Sequence, residues 1–559
     1  MELKVIRSTC FVLLLLISVT SQTEAKKILC LLGVGTETTL IWDKVLVNEL
    51  AAKGHDLTVV TTSIWELESE TNIDFIYLEK TQQFLRQRYA NSNSSHNALD
   101  QSNWKFIVNW YDQHMATCRG NLESSGLSEV LKLALQRKRV FDLLIYDVTY
   151  GPSCLLHVAH LFGVTPIVGI TSSTLTADIL NIYQYSGLNA ALDPYVLSDF
   201  DKNMNYWKRL YNTALFGLDY VYRQWVVRPV IEGLWSHNVK NINIPKSLDV
   251  LMPRFKVILA NHHPALHTLT ALPGNIIAVP GLHIQNKNSI KLSPDLLEFI
   301  EISVSDVILI DLDLKQLAES NMLAIMEVIR KFPKYNFIWN TGNSKRVLRN
   351  KPNNVFMANN LNNLEVMEKA EIKFVLTVPE ILRIQECLYQ GVPMIAVTLN
   401  PEQRYLAKRI EEQGFGLNLE LNNFKNLAET FDKILTNKNF RKMAQQLQLT
   451  FRNYQNPPLD TAVWWVEHLL QYPQANDHLI FTNQSKVGFF ARNSFDIVFL
   501  FEIIILICII NMILVCRQTI ENFKQISKTK RKTEEKKEKQ VKRMKKEGKE
   551  KKKEKAKTS

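Results

Sequence analysis

The residues of this 559-residue chain best placed for chemistry are carboxylates and amides that stand where apolar runs end. Asp147 closes the run Leu143-Leu144-Ile145-Tyr146 and is followed by Gly151. Glu386 lies in residues 381–389, where Ile381, Ile384, Leu388 and Tyr389 repeat at helical spacing. Glu402 and Gln403 follow Pro401, a residue suited to the first turn of a helix. An ionised carboxylate only accepts hydrogen bonds, so it suits hydroxyl-bearing ligands or the orientation of a base. Plainer roles stand beside these. Asp147 would cap a helix beginning near Cys154, and Glu386 would be an exposed helix residue. The cysteines Cys30, Cys118, Cys154 and Cys387 show neither metal-ligand spacing nor a dense disulfide framework.

The elements that position these residues read as two αβ steps of a parallel sheet over residues 374–419. A short apolar strand ends at Thr377, the helical stripe follows, and Gly391 and Pro393 stop it. A buried strand over 394–399 comes next, Pro401 opens another helix, and Gly414 closes it. In such sheets ligands bind outside the carboxyl ends of the strands, which selects the loop after Thr377 and residues 400–403. The opening of the chain has the same grammar: strand 27–32, Gly33-Val34-Gly35, helix 40–52, Gly54, strand 56–61. Its two glycines do not complete a dinucleotide fingerprint, so no NAD site is assigned. Residues 273–280 look like a linker, and strands at 307–312, 336–339 and 354–358 build a second sheet. The fold class expected is α/β, two Rossmann-like domains over 26–272 and 285–475.

Charge excludes one class of partner. The net charge of +12 resides in residues 517–559, which hold 19 Lys and Arg against 7 Asp and Glu. The rest of the chain is neutral, so nothing supports a nucleic-acid partner. Residues 1–25 read as a signal peptide: Lys4 and Arg7, an apolar run over 10–19, and a small-residue site at Ala25. Residues 497–516 have the length of a transmembrane helix, and Arg517 with the basic tail marks its cytosolic end. Glu502 inside that span either snorkels or faces a partner helix. The tail is too charged to fold alone, attracts anionic membrane lipid, and ends in Lys555-Ala556-Lys557-Thr558-Ser559, which resembles an endoplasmic-reticulum retrieval signal. Asn93-Ser94-Ser95 and Asn483-Gln484-Ser485 are glycosylation sequons, in keeping with a lumenal body.

The segment 374–419 resembles the signature of the UDP-glycosyltransferases of the membrane-bound glucuronosyltransferase type, through Glu386, Tyr389, Gly391-Val392-Pro393 and Glu402-Gln403 at ungapped spacing. Gly54-His55, the strand ending in Asp147, Gly281-Leu282-His283-Ile284 and residues 458–467 extend the resemblance. It implies a GT-B architecture and transfer of a sugar from a UDP-sugar to a small lipophilic acceptor, with no metal and no cofactor beyond that co-substrate. It also implies that Glu386 bonds the ribose hydroxyls, that Glu402 and Gln403 contact the sugar, and that Asp147 orients a catalytic histidine. The histidine's place falls on Thr39, and no histidine occurs over 27–54; Glu37 is the substitute if the loop shifts. The family's Ser-Leu-Gly-Ser reads Asp311-Leu312-Asp313-Leu314, its uracil-stacking Trp reads Asn360, the Pro and Gln that follow read Asn362 and Asn363, and its His-Gly-Gly reads Val378-Pro379-Glu380. These departures imply weak or lost transfer. The alternative is an inactive member that binds a lipophilic ligand or regulates an active partner, as a homo- or hetero-oligomer.

Overall fold

The structure is a computed structural model describing residues 25–66, 72–92, 102–136, 140–151, 153–163, 166–183, 190, 193–198, 200–239, 247–266, 272–285, 292–302, 306–315, 317–342, 344, 351–359, 361–475 and 495–555. Residues 1–24 of the signal segment, both sequons, Asn360 and residues 556–559 therefore lie outside the described residues.

The first sheet comprises β1 (Lys27–Leu32), β2 (Asp56–Thr61), β3 (Ile73–Tyr77), β4 (Leu143–Asp147), β5 (Ile167–Thr171), β6 (Phe255–Ala260) and β7 (Ile276–Ala278). Its order is β3-β2-β1-β4-β5-β6-β7 and every pairing is parallel. The second comprises β8 (Val307–Asp311), β9 (Asn336–Asn340), β10 (Val355–Ala358), β11 (Ile372–Thr377), β12 (Met394–Thr398) and β13 (Gly416–Glu420). Its order is β10-β9-β8-β11-β12-β13, again all parallel. Central strands read as unbroken apolar runs because helices cover both faces of such a sheet. β4, β5 and β12 are buried at every residue. The strand order turns back between β1 and β4 and between β8 and β11, and crevices open at those points.

Local chemistry sets the helix ends. Thr36 accepts a hydrogen bond from the Thr39 amide as N-cap, so the first helix runs Glu37–Ala52 and starts three residues earlier than expected. Gly391 adopts φ 65° after helix Ile381–Gln390, a conformation that suits glycine. Part of the stretch expected as a linker is β7, hydrogen-bonded to β6. Helix Pro458–Gln471 returns to the first domain, where Glu467 approaches Lys53 at 3.4 Å and His55 at 3.8 Å. One buried cluster contains Ile28, Trp42 and Val45 together with Ile384, Leu388, Ala462 and Val466, so the two sheets share a core.

The described residues of the C-terminal unit form a single helix, Phe495–Lys555, long and apolar enough at its start to cross a membrane. The expectation that the tail has no fold of its own is corrected in one respect: it is helical. Lys, Glu, Arg and Gln are strong helix formers, and pairs such as Glu535 with Lys539 and Glu538 with Lys542 stand four apart. Residues 517–551 are exposed throughout.

Candidate functional site

At the crevice of the second sheet, Asp311 ends β8, Thr377 ends β11 and Asn340 ends β9. Asn340 Nδ2 donates to Asp311 Oδ1 at 2.9 Å, and Thr377 Oγ1 donates to Oδ2 at 3.4 Å. The guanidinium of Arg383, in the first turn of helix Ile381–Gln390, completes the group. Its Nε lies 3.0 Å from Asp311 Oδ2, and its Nη1 donates to both Glu386 oxygens at 3.1 and 3.0 Å. Burial raises the Asp311 carboxyl, the Arg383 charge opposes that shift, and Glu386 adds to it. His283 approaches Glu386 Oε1 at 3.6 Å, but burial and then the Arg383 charge push it down to about 3, so the imidazole is neutral. Both carboxylates thus share one internal cation. Asp313 is held locally by the Lys315 amide, which donates to its Oδ1 at 2.8 Å.

The first sheet presents its own carboxylates. Asp147 Oδ1 accepts from the Thr149 amide at 2.9 Å, while Oδ2 is buried with no hydrogen-bond partner among the described residues. The following helix starts at Leu156 without a side-chain cap, so the reading of Asp147 as its cap is overturned: the carboxylate closes its own turn instead. Asp147 lines a small cavity with Gly33, Val34, His114, Thr117 and Tyr150. Asp43, one helical turn beyond Thr39, is buried with both oxygens unpartnered among the described residues. Burial, and then the charge of Asp147, drive Asp43 well above the ordinary carboxylate range. Burial likewise raises Asp147. Two such carboxyls cannot both ionise cheaply.

Thr39 is buried and its hydroxyl donates to the carbonyls of Thr36, at 2.9 Å, and Val34, at 3.3 Å. It serves the helix start rather than any proton transfer. Glu37 is the first residue of that helix. Thr38 Oγ1 donates to Glu380 Oε2 at 3.3 Å, so the carboxyl edges of the two sheets face each other. Gln385 Nε2 donates to Asn261 Oδ1 at 2.6 Å, a second polar contact from one domain to the other.

Gln403 Oε1 accepts from the Leu399 amide at 2.7 Å, while its own amide donates to Asn400 Oδ1 at 2.9 Å. This reciprocal pair caps helix Pro401–Glu412. Glu402 is half-buried, and burial followed by the charge of Glu380 pushes it up to about 7. Asn362 caps helix Asn363–Lys369, and Asn363 Oδ1 accepts from Asn340 Nδ2 at 3.2 Å. Arg383, Asp43 and the disulfide Cys118–Cys154 are the features that sequence reasoning missed. The first two had a signal, Arg383 three residues before Glu386 and Asp43 four after Thr39. The disulfide ties helix Asn103–Glu123, which carries His114, to the turn behind Asp147.

The family described as "UDP-glucoronosyl and UDP-glucosyl transferase" matches residues 31–533. An ecdysteroid UDP-glucosyltransferase of Spodoptera littoralis nuclear polyhedrosis virus is 22% identical over 513 residues, covering 87% of this chain and 96% of that protein. The 2-hydroxyacylsphingosine 1-beta-galactosyltransferase of Rattus norvegicus is 22% identical over 377 residues, covering 66% of each chain. Among solved structures, the glycotransferase of kitacinnamycin superposes with a TM-score of 0.53 at 16% identity, over 80% of this chain and 100% of that one. VinC in complex with DTDP gives 0.53 at 13% identity, over 80% and 99%. These two likenesses bear on the fold, which is that of the GT-B glycosyltransferases. With two parallel sheets meeting at their carboxyl edges and a family match that runs through nearly the whole chain, this protein belongs to the UDP-glucoronosyl and UDP-glucosyl transferase family.

Proposed function

We propose that this chain is a membrane-anchored UDP-glycosyltransferase-family protein whose donor site is occupied by its own Arg383, so that it binds UDP-sugars weakly and transfers sugar slowly if at all. The observation that carries this reading is the engagement of both Glu386 oxygens by Arg383, which also pairs with Asp311. A ribose seeking Glu386 must displace charge-assisted hydrogen bonds, each worth about 1.5–3 kcal/mol. In glycosyl transfer the acceptor oxygen attacks the anomeric carbon, its proton passes to a base, and UDP leaves with the electron pair of the broken bond. Thr39 cannot serve as that base. Asp147 is the group on the acceptor side whose affinity for a proton, raised by burial, suits the role. Glu402, raised toward neutrality beside Glu380, would meet the sugar, and Gln403 would support it from its cap.

The membrane placement belongs to the same proposal. The body is lumenal in the endoplasmic reticulum and single-pass, the tail is cytosolic, and the domains divide between β7 and β8. The Cys118–Cys154 disulfide supports an oxidising compartment. Purified full chain incubated with UDP-glucose or UDP-galactose and a lipophilic phenol tests the proposal. UDP release slower by roughly 10²–10⁴ than an active family member is expected from loss of a histidine base. A rate equal to that of the active enzyme would overturn it.

A further inference from the structure

One continuous helical rod runs through helix Tyr206–Tyr222, a wide turn Arg223–Val227 and helix Arg228–Asn238. Its inner face carries Asn212, Leu215, Asp219, Arg223, Val227, Ile231 and Trp235, all buried. That face is fastened by charge. Asp219 Oδ1 accepts from the hydroxyls of Tyr111, at 2.7 Å, and Tyr195, at 3.1 Å. Arg223 lies 3.3 Å from Asp219 and 3.4 Å from Asp178. The rod is therefore fixed in rotation, and its outer face is set by the same register.

The outer face is apolar and open. Trp207 is 72% exposed and Trp225 77%, and between them Leu210, Tyr211, Leu218 and Val221 fall on one stripe at helical spacing. From position 210 to 226 no exposed residue carries a charge. Lys202, Lys208 and Arg209 stand at the entrance to the rod, with Asp201 at 3.6 Å from the Lys208 ammonium. Single exposed apolar side chains are ordinary on a soluble surface, whereas a contiguous aromatic stripe of this length marks a contact.

We propose that this face lies in the headgroup layer of a lipid bilayer. Three observations favour a bilayer over a protein. Trp and Tyr are the residues that settle at the membrane interface, and the basic end suits lipid phosphates. The same chain carries a helix long and apolar enough to span a membrane, which would keep the body covalently close to one. The rod packs through Tyr111 and Trp104 on helix Asn103–Glu123, so a face resting in lipid would adjoin the element that carries His114 beside Asp147.

The test uses full chain in lipid nanodiscs of phosphatidylcholine with some phosphatidylserine. Cysteine is introduced as Trp225→Cys or, as a reference, as Leu449→Cys, a position 73% exposed on helix Asn439–Arg452. A water-soluble maleimide should label Trp225→Cys about tenfold or more slowly than Leu449→Cys in discs holding one chain, as burial in the interface requires. Equal rates would overturn the proposal. So would protection that appears only in discs holding two chains, because the occupant would then be a second copy.

Discussion

Two side chains set the chemistry at opposite edges of the crevice, and they act through charge. On the side proposed for the donor Arg383 pairs with both Asp311 and Glu386, offsetting one of the two negative charges that would repel a diphosphate. On the acceptor side Asp43 is buried against Asp147 with no cation among the described residues to relieve it. A carboxyl whose folded-state pKa lies above its unfolded value of about 3.9 gives stability below that value and loses it as pH rises. Asp43→Asn, which mimics the protonated form, should therefore raise the melting temperature more at pH 8 than at pH 5, with the gain vanishing toward pH 4. Thermal unfolding across that range checks it, and a gain independent of pH would show that the Asp43 carboxyl is not raised by folding.

Among the elements, the segment around helices Ile381–Gln390 and Pro401–Glu412 shows what a sequence displays and what it hides. Gly391 and Pro401 mark ends that depend on backbone geometry alone, and the structure has them where spacing predicts. Gln403 looks the same in sequence whether it holds a sugar or a helix; only the bonds to Leu399 and Asn400 separate the two. Gln403→Ala or Asn400→Ala should cost about 1 kcal/mol of stability in denaturant titration, the usual loss for a helix cap. Gly391→Ala, at φ 65°, should cost a similar ~1–2 kcal/mol. The spacing of Arg383 to Glu386 is visible in the sequence, but the approach of Arg383 to Asp311 on β8 and of Asp43 to Asp147 on β4 is decided by topology. The helical tail was misjudged because composition argues against a core, which a solitary helix does not need.

For the whole molecule, the account joins a two-domain body whose crevice is closed from within to a helix fit to span a membrane. Protease added to sealed microsomes should remove the basic tail and spare the body; digestion of the body would reverse the proposed orientation. UDP affinity reports whether Arg383 fills the donor site, as proposed above. Isothermal titration of full chain in detergent would compare the natural protein with the double variant Asp311→Ser, Arg383→Ala, which removes one charge of each sign and frees Glu386. The account predicts weak UDP binding by the natural protein and a gain of about tenfold or more in the variant, the worth of a charge-assisted hydrogen bond no longer displaced. Binding that is already tight in the natural protein, or that is lost in the variant while its melting temperature holds, would contradict it, because Arg383 would then be gripping the nucleotide rather than replacing it.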